Sequence, residues 1–184
     1  MDRSKSRKSA AIERTRVAIL DAAVRVLIYK SFASYAEIAD AAGTARSTLH
    51  RHFPERADLI AGLQAYAGER ILQAKAQARL GEGPALDALM RLAEEYLDLG
   101  DLVIVAFAER DGTEQPKTPD LALDEILLRG SKEGTIDASI PALWLEQLLW
   151  ITTFSAWSHI RTNHVPQHEA FSLALKALRK IVSP

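Results

Sequence analysis

The chain has 184 residues, 48% of them hydrophobic and 26% charged, with a formal net charge of −1. That length and apolar share fit one or two compact domains with a sizeable core and exclude a disordered chain. Cysteine is absent, which excludes disulfides, thiol catalysis and cysteine-bound zinc or iron–sulfur clusters, and fits a reducing, cytoplasmic location. The polar, basic start has no apolar secretory core, and no run of about 18 apolar residues suits a membrane span. The near-zero total conceals a division. Residues 1–56 hold 11 Lys and Arg against 6 Asp and Glu, whereas residues 57–184 hold 12 against 18. A basic head on an acidic body suggests one part that meets a polyanion and another with a different task.

In chain order, residues 1–10 carry four basic residues and read as a flexible basic arm, either solubilising or adding phosphate contacts. "AAIERTRVAILDAAVRVLIY" places Ile12, Val17, Leu20, Val24 and Leu27 close to one helical face. "ASYAEIADAAG" follows, with Ser34 as N-cap and Glu37 three residues on, a capping-box pattern. Ile38, Ala39 and Ala42 face inward, and Gly43 ends the helix in a left-handed turn. Ala45 to Phe53 forms a third short helix with Thr44 as a possible cap, stopped by Pro54. A longer helix spans about 56–80 and another about 85–99, separated by "GEGP". Asp101 caps a short apolar helix, "LVIVAFAER". "DGTEQPKTP" at 111–119 is a loop. Residues 120–133 form a helix closed by Gly134. A helix at about 140–163 has Ser139 as cap and Pro141 in its first turn, and is apolar most of the way round. The last helix, about 167–182, turns Phe171, Ala174, Leu175, Leu178 and Val182 inward. The fold class is all-α, with about nine helices: arm 1–10, a three-helix head 11–56 and a body 57–184.

Two short helices joined at a glycine turn and packed on an earlier apolar helix are the parts of a helix-turn-helix. Leu49 and Phe53, four apart, anchor the third helix on Leu20, Val24, Leu27 and Ile38. With those two inward, Arg46, Ser47, Thr48, His50, Arg51 and His52 cover the exposed sides. They offer donors and small hydroxyls on a helix narrow enough for a major groove. His50 and His52 point about 200° apart on a helix, which disfavours a metal pair. A plain solvated face is the other reading.

The segment "ILDAAVRVL…EIADAAGTARSTLHRHFPERADLI" resembles the N-terminal region of the TetR family of transcriptional repressors, over roughly residues 14–63. The resemblance implies a DNA-binding head and a larger helical body for ligand binding and dimerisation. It places His50 where the family has a tyrosine that often contacts phosphate; histidine donates more strongly when protonated. It matches His52 and Phe53 to the family's "HF" and Arg56 to a lysine at the start of the fourth helix, near a helix N-terminus that suits phosphate. Arg46 falls where a basic residue is usual, Ser47 where glycine is common, and Thr48 is the closest match of the three. The link before the second helix is about two residues shorter than the family's, and Ser34 and Tyr35 are phosphate-contact candidates, Tyr35 equally a core residue.

For the body, the resemblance implies a small-molecule pocket, for which Tyr66, Tyr96, Phe107, Trp150, Phe154, Trp157 and His159 are candidates, although aromatics at helical spacing also serve as core. Trp150 and Trp157 share a face of their helix and Trp144 lies elsewhere. His164 and His168 have metal-pair spacing, but Pro166 between them breaks the helix that pairing requires. The helices at about 140–163 and 167–182 suit a homodimer through a four-helix bundle, which would also pair two recognition helices on palindromic double-stranded operator DNA. The expected function is a ligand-released repressor with an effector of unknown identity. An effector-independent repressor, an activator and an all-α enzyme are the alternatives. No nucleophile–base constellation, phosphate loop or metal motif supports the enzyme, and no cofactor is expected.

Overall fold

The computed structural model describes residues 2–108 and 121–184; the loop read at 111–119 and the Phe107 side chain lie outside the described residues. Among the described residues there are nine helices and no strands. In order they are α1 Asp2–Leu27, α2 Tyr35–Ala41, α3 Arg46–His52, α4 Arg56–Gln77, α5 Ala85–Asp98, α6 Asp101–Ala108, α7 Leu121–Glu133, α8 Ala142–Asn163 and α9 Gln167–Val182. The chain divides into two compact units, Met1–Gly68 with Asp101–Asp111, and Glu69–Gly100 with Gly112–Pro184. α1 starts at Asp2, ahead of the boundary read at residue 11.

The helix ends follow local chemistry. Ser34 Oγ accepts from the Glu37 amide at 3.3 Å, while the Glu37 carboxylate accepts from the Ser34 amide at 2.8 Å. These reciprocal bonds satisfy two amide donors that the first turn of α2 would otherwise leave unpaired. Gly43 has φ +61; it turns the chain out of α2, and the Thr44 amide donates back to the Ala39 carbonyl at 3.0 Å. Two expected caps are displaced by one or two positions. α3 is preceded by Ala45 in cap position rather than Thr44, and α8 by Pro141 rather than Ser139. Ser139 instead donates its amide to Asp137 Oδ1 at 2.8 Å, a local turn that precedes the helix.

The core of the first unit draws on α1, α2, α3, α4 and α6. Leu20, Val24, Leu27, Ile38, Leu49 and Phe53 are all buried there, as the spacing requires. Leu59, Leu63, Tyr66 and Ala67 of α4 and Leu102 and Val105 of α6 complete it. The unit is therefore larger than the stretch 11–56, because three turns of α4 bury their apolar stripe in the head. Ile12, read close to the same helical face, is half exposed.

In the second unit, α5 is the central element, burying Leu89, Leu92, Ala93, Tyr96 and Leu97 against α7, α8 and α9. Two arginines fix the turn between α4 and α5. Arg91 donates to the carbonyls of Ala78, Arg79 and Glu82, and Arg129 to those of Leu80 and Gly83. These carbonyls lie at and beyond the open C-terminal end of α4 and need donors.

One close approach in the head depends on a missing methyl group. A Cβ placed on Gly62 of α4 would lie 2.6 Å from Phe53 Cε1 and 3.5 Å from Leu20 Cδ2. Phe53 is 3% exposed and has no space into which to retreat. Gly62→Ala should therefore destabilise the head by about 1–3 kcal/mol, despite alanine's better helix propensity. Chemical denaturation reads this directly; an unchanged or raised midpoint would refute the packing argument.

Candidate nucleic-acid interface

α3 has only seven residues, and a helix of that length is unstable alone in water. Its position is set by what it buries. Leu49 is fully buried and Phe53, at the cap position, nearly so. The Arg16 guanidinium lies 5.8 Å from the Phe53 ring centroid, an approach that covers the ring from the α1 side. With that face fixed, Arg46, Ser47, His50 and Arg51 are exposed, and Thr48 and His52 are half-buried. No acidic residue lies in α3, and neither Arg46 nor Arg51 has an ion-pair or hydrogen-bond partner for its side chain among the described residues. The outer face therefore carries uncompensated positive charge, as a phosphate-binding surface requires.

His50 is held from two sides. Its ring centroid is 4.8 Å from that of Tyr35 on α2, the planes tilted by 47°. Its Nδ1 lies 3.4 Å from the Pro54 carbonyl oxygen. Tyr35 is half-buried among the residues of the head core, and its hydroxyl has no hydrogen-bond partner. Burial raises its pKa above the ordinary phenol value, and Asp58 and Glu55 add to the rise while Arg56 opposes it. Its phenol oxygen is buried, and its ring packs on the head core and against the His50 imidazole. Ser34 is exposed, but its hydroxyl and amide are engaged by Glu37. Lys30 also pairs with Glu37. Lys30 first, then the Ser34 amide and hydroxyl, lower the Glu37 carboxyl to about 2.

Arg56 differs from the sequence expectation. Its guanidinium donates to the carbonyls of Ala33, at 3.0 Å, and Ser31. It ties the α1–α2 link to the start of α4. The signal missed was structural. A link shortened to 28–34 leaves carbonyls without helical partners, and a planar five-donor side chain on an adjacent helix end can satisfy them. Gly62 was missed for a related reason: a glycine inside a helical pattern shows its purpose only once Phe53 is seen beside it.

The candidate ligand residues are divided between the two units. Tyr66 lies in the core of the first unit. In the second unit the Tyr96 and Trp150 rings stack with centroids 4.4 Å apart and planes 7° apart. Trp157 Nε1 donates to the Leu97 carbonyl at 2.8 Å, and its ring meets Phe171 edge-on. Trp150 and Trp157 thus share the face of α8 that meets α5, as their spacing requires, while Trp144 is exposed. Trp157 acts as a brace between helices. Phe154 is exposed on another side of α8. His159, hydrogen-bonded to Asn163 through Nδ1 at 2.7 Å, lines an open groove of about 400 Å³ between α8 and α9. A smaller polar cleft of about 170 Å³ lies between α4 and α5, with Arg70, Glu95 and Asp98 on its walls. Among the described residues no three His, Asp or Glu side chains gather as a metal set, and no helix is long and apolar enough to cross a membrane.

Comparison with known proteins agrees with this geometry. Residues 19–63 match the family described as bacterial regulatory proteins, tetR family. The transcriptional repressor LfrR of Mycolicibacterium smegmatis is 34% identical over 181 residues, covering 95% of this chain and 94% of that protein. The transcriptional regulator NfxB of Pseudomonas aeruginosa is 30% identical over 139 residues, covering 71% of this chain and 74% of its own length. The crystal structure of LfrR from Mycobacterium smegmatis in complex with proflavine superposes with a TM-score of 0.69 at 32% identity, covering 90% of this chain and 95% of that one.

Proposed function

The chain belongs to the TetR family of bacterial regulatory proteins and is a DNA-binding transcriptional regulator; from that premise we propose that it is a homodimeric repressor of a palindromic operator, released by a small molecule. The observation that carries the proposal is the outer face of α3. Arg46, Ser47 and Thr48, at its N-terminal end, are the readers of base edges, and Arg51 and His52 flank them toward the backbone. Arg56 contributes by holding the α1–α2 link in place. Residues 1–10 add basic charge to the same unit.

The dimer is assigned to α8 and α9. Ile151 on α8 and Leu173 and Ile181 on α9 are each more than half exposed and line a groove together with Ala170, Ala174 and Ala177. Three large apolar side chains around one groove between two helices form a patch that a monomer rarely leaves open. A two-fold copy of the pair would bury it as a four-helix bundle and present two recognition helices to two half-sites. The effector is assigned to the second unit. That unit carries the aromatic residues of the body, Tyr96 and Trp150 stacked on each other among them, and the relative LfrR has been solved with proflavine. α4 contains residues of both units, and ligand-dependent displacement of this helix is the proposed link. By reciprocity, a ligand that lowers operator affinity must itself bind the DNA-bound form less tightly.

A duplex selected by the protein from a random-sequence pool provides the test. Arg51→Ala should weaken binding to it and reduce the slope of log affinity against log salt by about one per protomer; an unchanged slope would remove Arg51 from the phosphate contacts. Leu173→Glu should convert the dimer to a monomer in light scattering and lower affinity for the palindrome on the order of a hundredfold. A variant that remains dimeric would place the interface elsewhere. Calorimetric titration of proflavine into the DNA-free protein should show saturable binding; absence of heat would exclude that ligand class.

A further inference from the structure

We infer that Phe32 is an apolar wedge for the minor groove flanking each half-site, so that the operator is selected in part by how readily the duplex kinks there. The inference rests on the reading of α3 as the recognition helix. Phe32 is 92% exposed, more than any other large hydrophobic side chain among the described residues. Tyr29, earlier in the same α1–α2 link, is 77% exposed.

The backbone holds the Phe32 ring out. The Ala33 amide donates to the Lys30 carbonyl at 2.9 Å, which closes a tight turn with Phe32 at its tip. Arg56 donates to the carbonyls on either side of Phe32, those of Ser31 and Ala33. Ala33 is buried in the head core, and Ser34 then caps α2. The chain is thus pinned to α4 and to the core on both sides of the exposed ring. Turn tips favour glycine, proline, asparagine, aspartate and serine. Phenylalanine at this tip leaves an apolar ring in water, a local choice that folding does not explain.

The position of the turn indicates what the ring meets. The N-terminal residues of a recognition helix contact base edges, and the helix before it crosses the sugar–phosphate backbone. Tyr35, the first residue of α2, has its ring 4.8 Å from that of His50, near the C-terminal end of α3. The start of α2, and the link with it, therefore sits at the end of α3 remote from the base-reading residues, beside the strand that bounds the major groove. Beyond that strand lies the next minor groove. Lys30, in the same turn, is paired with Glu37, so the contribution of the tip falls to the ring rather than to a free cation. Apolar side chains such as phenylalanine enter a minor groove at a base step, unstack it in part and kink the duplex, and pyrimidine–purine steps yield most readily. A pinned turn serves that task, since a loose one would give way before the base stack does.

The test uses the full-length protein and a duplex pool with randomised flanks. The wild type should select a pyrimidine–purine step at fixed spacing outside each half-site, and 2-aminopurine placed at that step should brighten on binding. Replacing the step by a stiff A-tract should weaken binding on the order of tenfold. Phe32→Ala should select the same half-sites without the flanking preference and bind the two duplexes alike, with an unchanged melting temperature. Phe32→Leu, which keeps an apolar wedge, should retain the preference. A Phe32→Ala variant whose flanking preference and 2-aminopurine signal equal those of the wild type overturns the inference while leaving the DNA-binding reading intact. Loss of a second bound dimer with flanks unchanged also overturns it, because the ring would then serve a contact between copies. Failure of the wild-type chain to select any duplex would overturn both.

Discussion

The burial of Phe53 determines most of what the head can do. A seven-residue helix gains too little from its own hydrogen bonds to persist, so α3 exists because Leu49 and Phe53 are withdrawn from water. Fully burying side chains of this size is worth about 1.5–3 kcal/mol each. That burial needs three contributions from distant parts of the chain: Leu20 on α1, the Arg16 guanidinium over the ring, and the absence of a side chain at Gly62. The cationic outer face is a consequence of this inner one. Once two residues four apart are fixed inward, helix geometry leaves Arg46, Ser47, His50 and Arg51 only outward directions.

The charges of the head divide into those that hold the fold and those left free, and composition alone does not separate them. Lys30 is paired with Glu37, and Arg56 is spent on two carbonyls of the α1–α2 link. Arg46 and Arg51 are not so engaged. The excess of basic residues in 1–56 therefore overstates the charge available to a polyanion at any one place. Arg46 and Arg51 place part of what remains on one side of α3, where local charge density matters more for DNA affinity than the total.

The sequence was most informative where a single residue type has one common structural use. Gly43 at a helix end, the Ser34–Glu37 pair and the apolar steps of α2, α3 and α9 are of this kind, and the coordinates place them as the periodicity requires. It was less informative where a residue's task is defined by a partner far away in the chain. Arg56 is matched to carbonyls 23 and 25 residues earlier, and Gly62 to a ring nine positions back; neither relation leaves a local pattern. The caps at Thr44 and Ser139 were displaced because Ala45 and Pro141 occupy the extended conformation that the cap position needs, without contributing a side-chain bond. Tyr66 belongs to the head because α4 continues its apolar stripe across the boundary assumed at residue 56.

The apolar circumference of α8 illustrates a wider ambiguity in reading aromatic helices. One face is used internally: Trp150 stacks on Tyr96, and Trp157 both donates to the Leu97 carbonyl and packs on Phe171. These contacts tie α8 to α5 and α9 with directional bonds, so they specify register as well as burial. A second face, with Ile151, remains exposed beside Leu173 and Ile181 of α9. A helix that served only its own chain would carry polar residues there. The first face already has its partners within the unit, and the second is the one the proposed dimer would use. On that proposal, substitutions on the two faces have different consequences: loss of a brace disturbs the unit itself, whereas a charge on the outer face leaves the unit folded and acts on assembly.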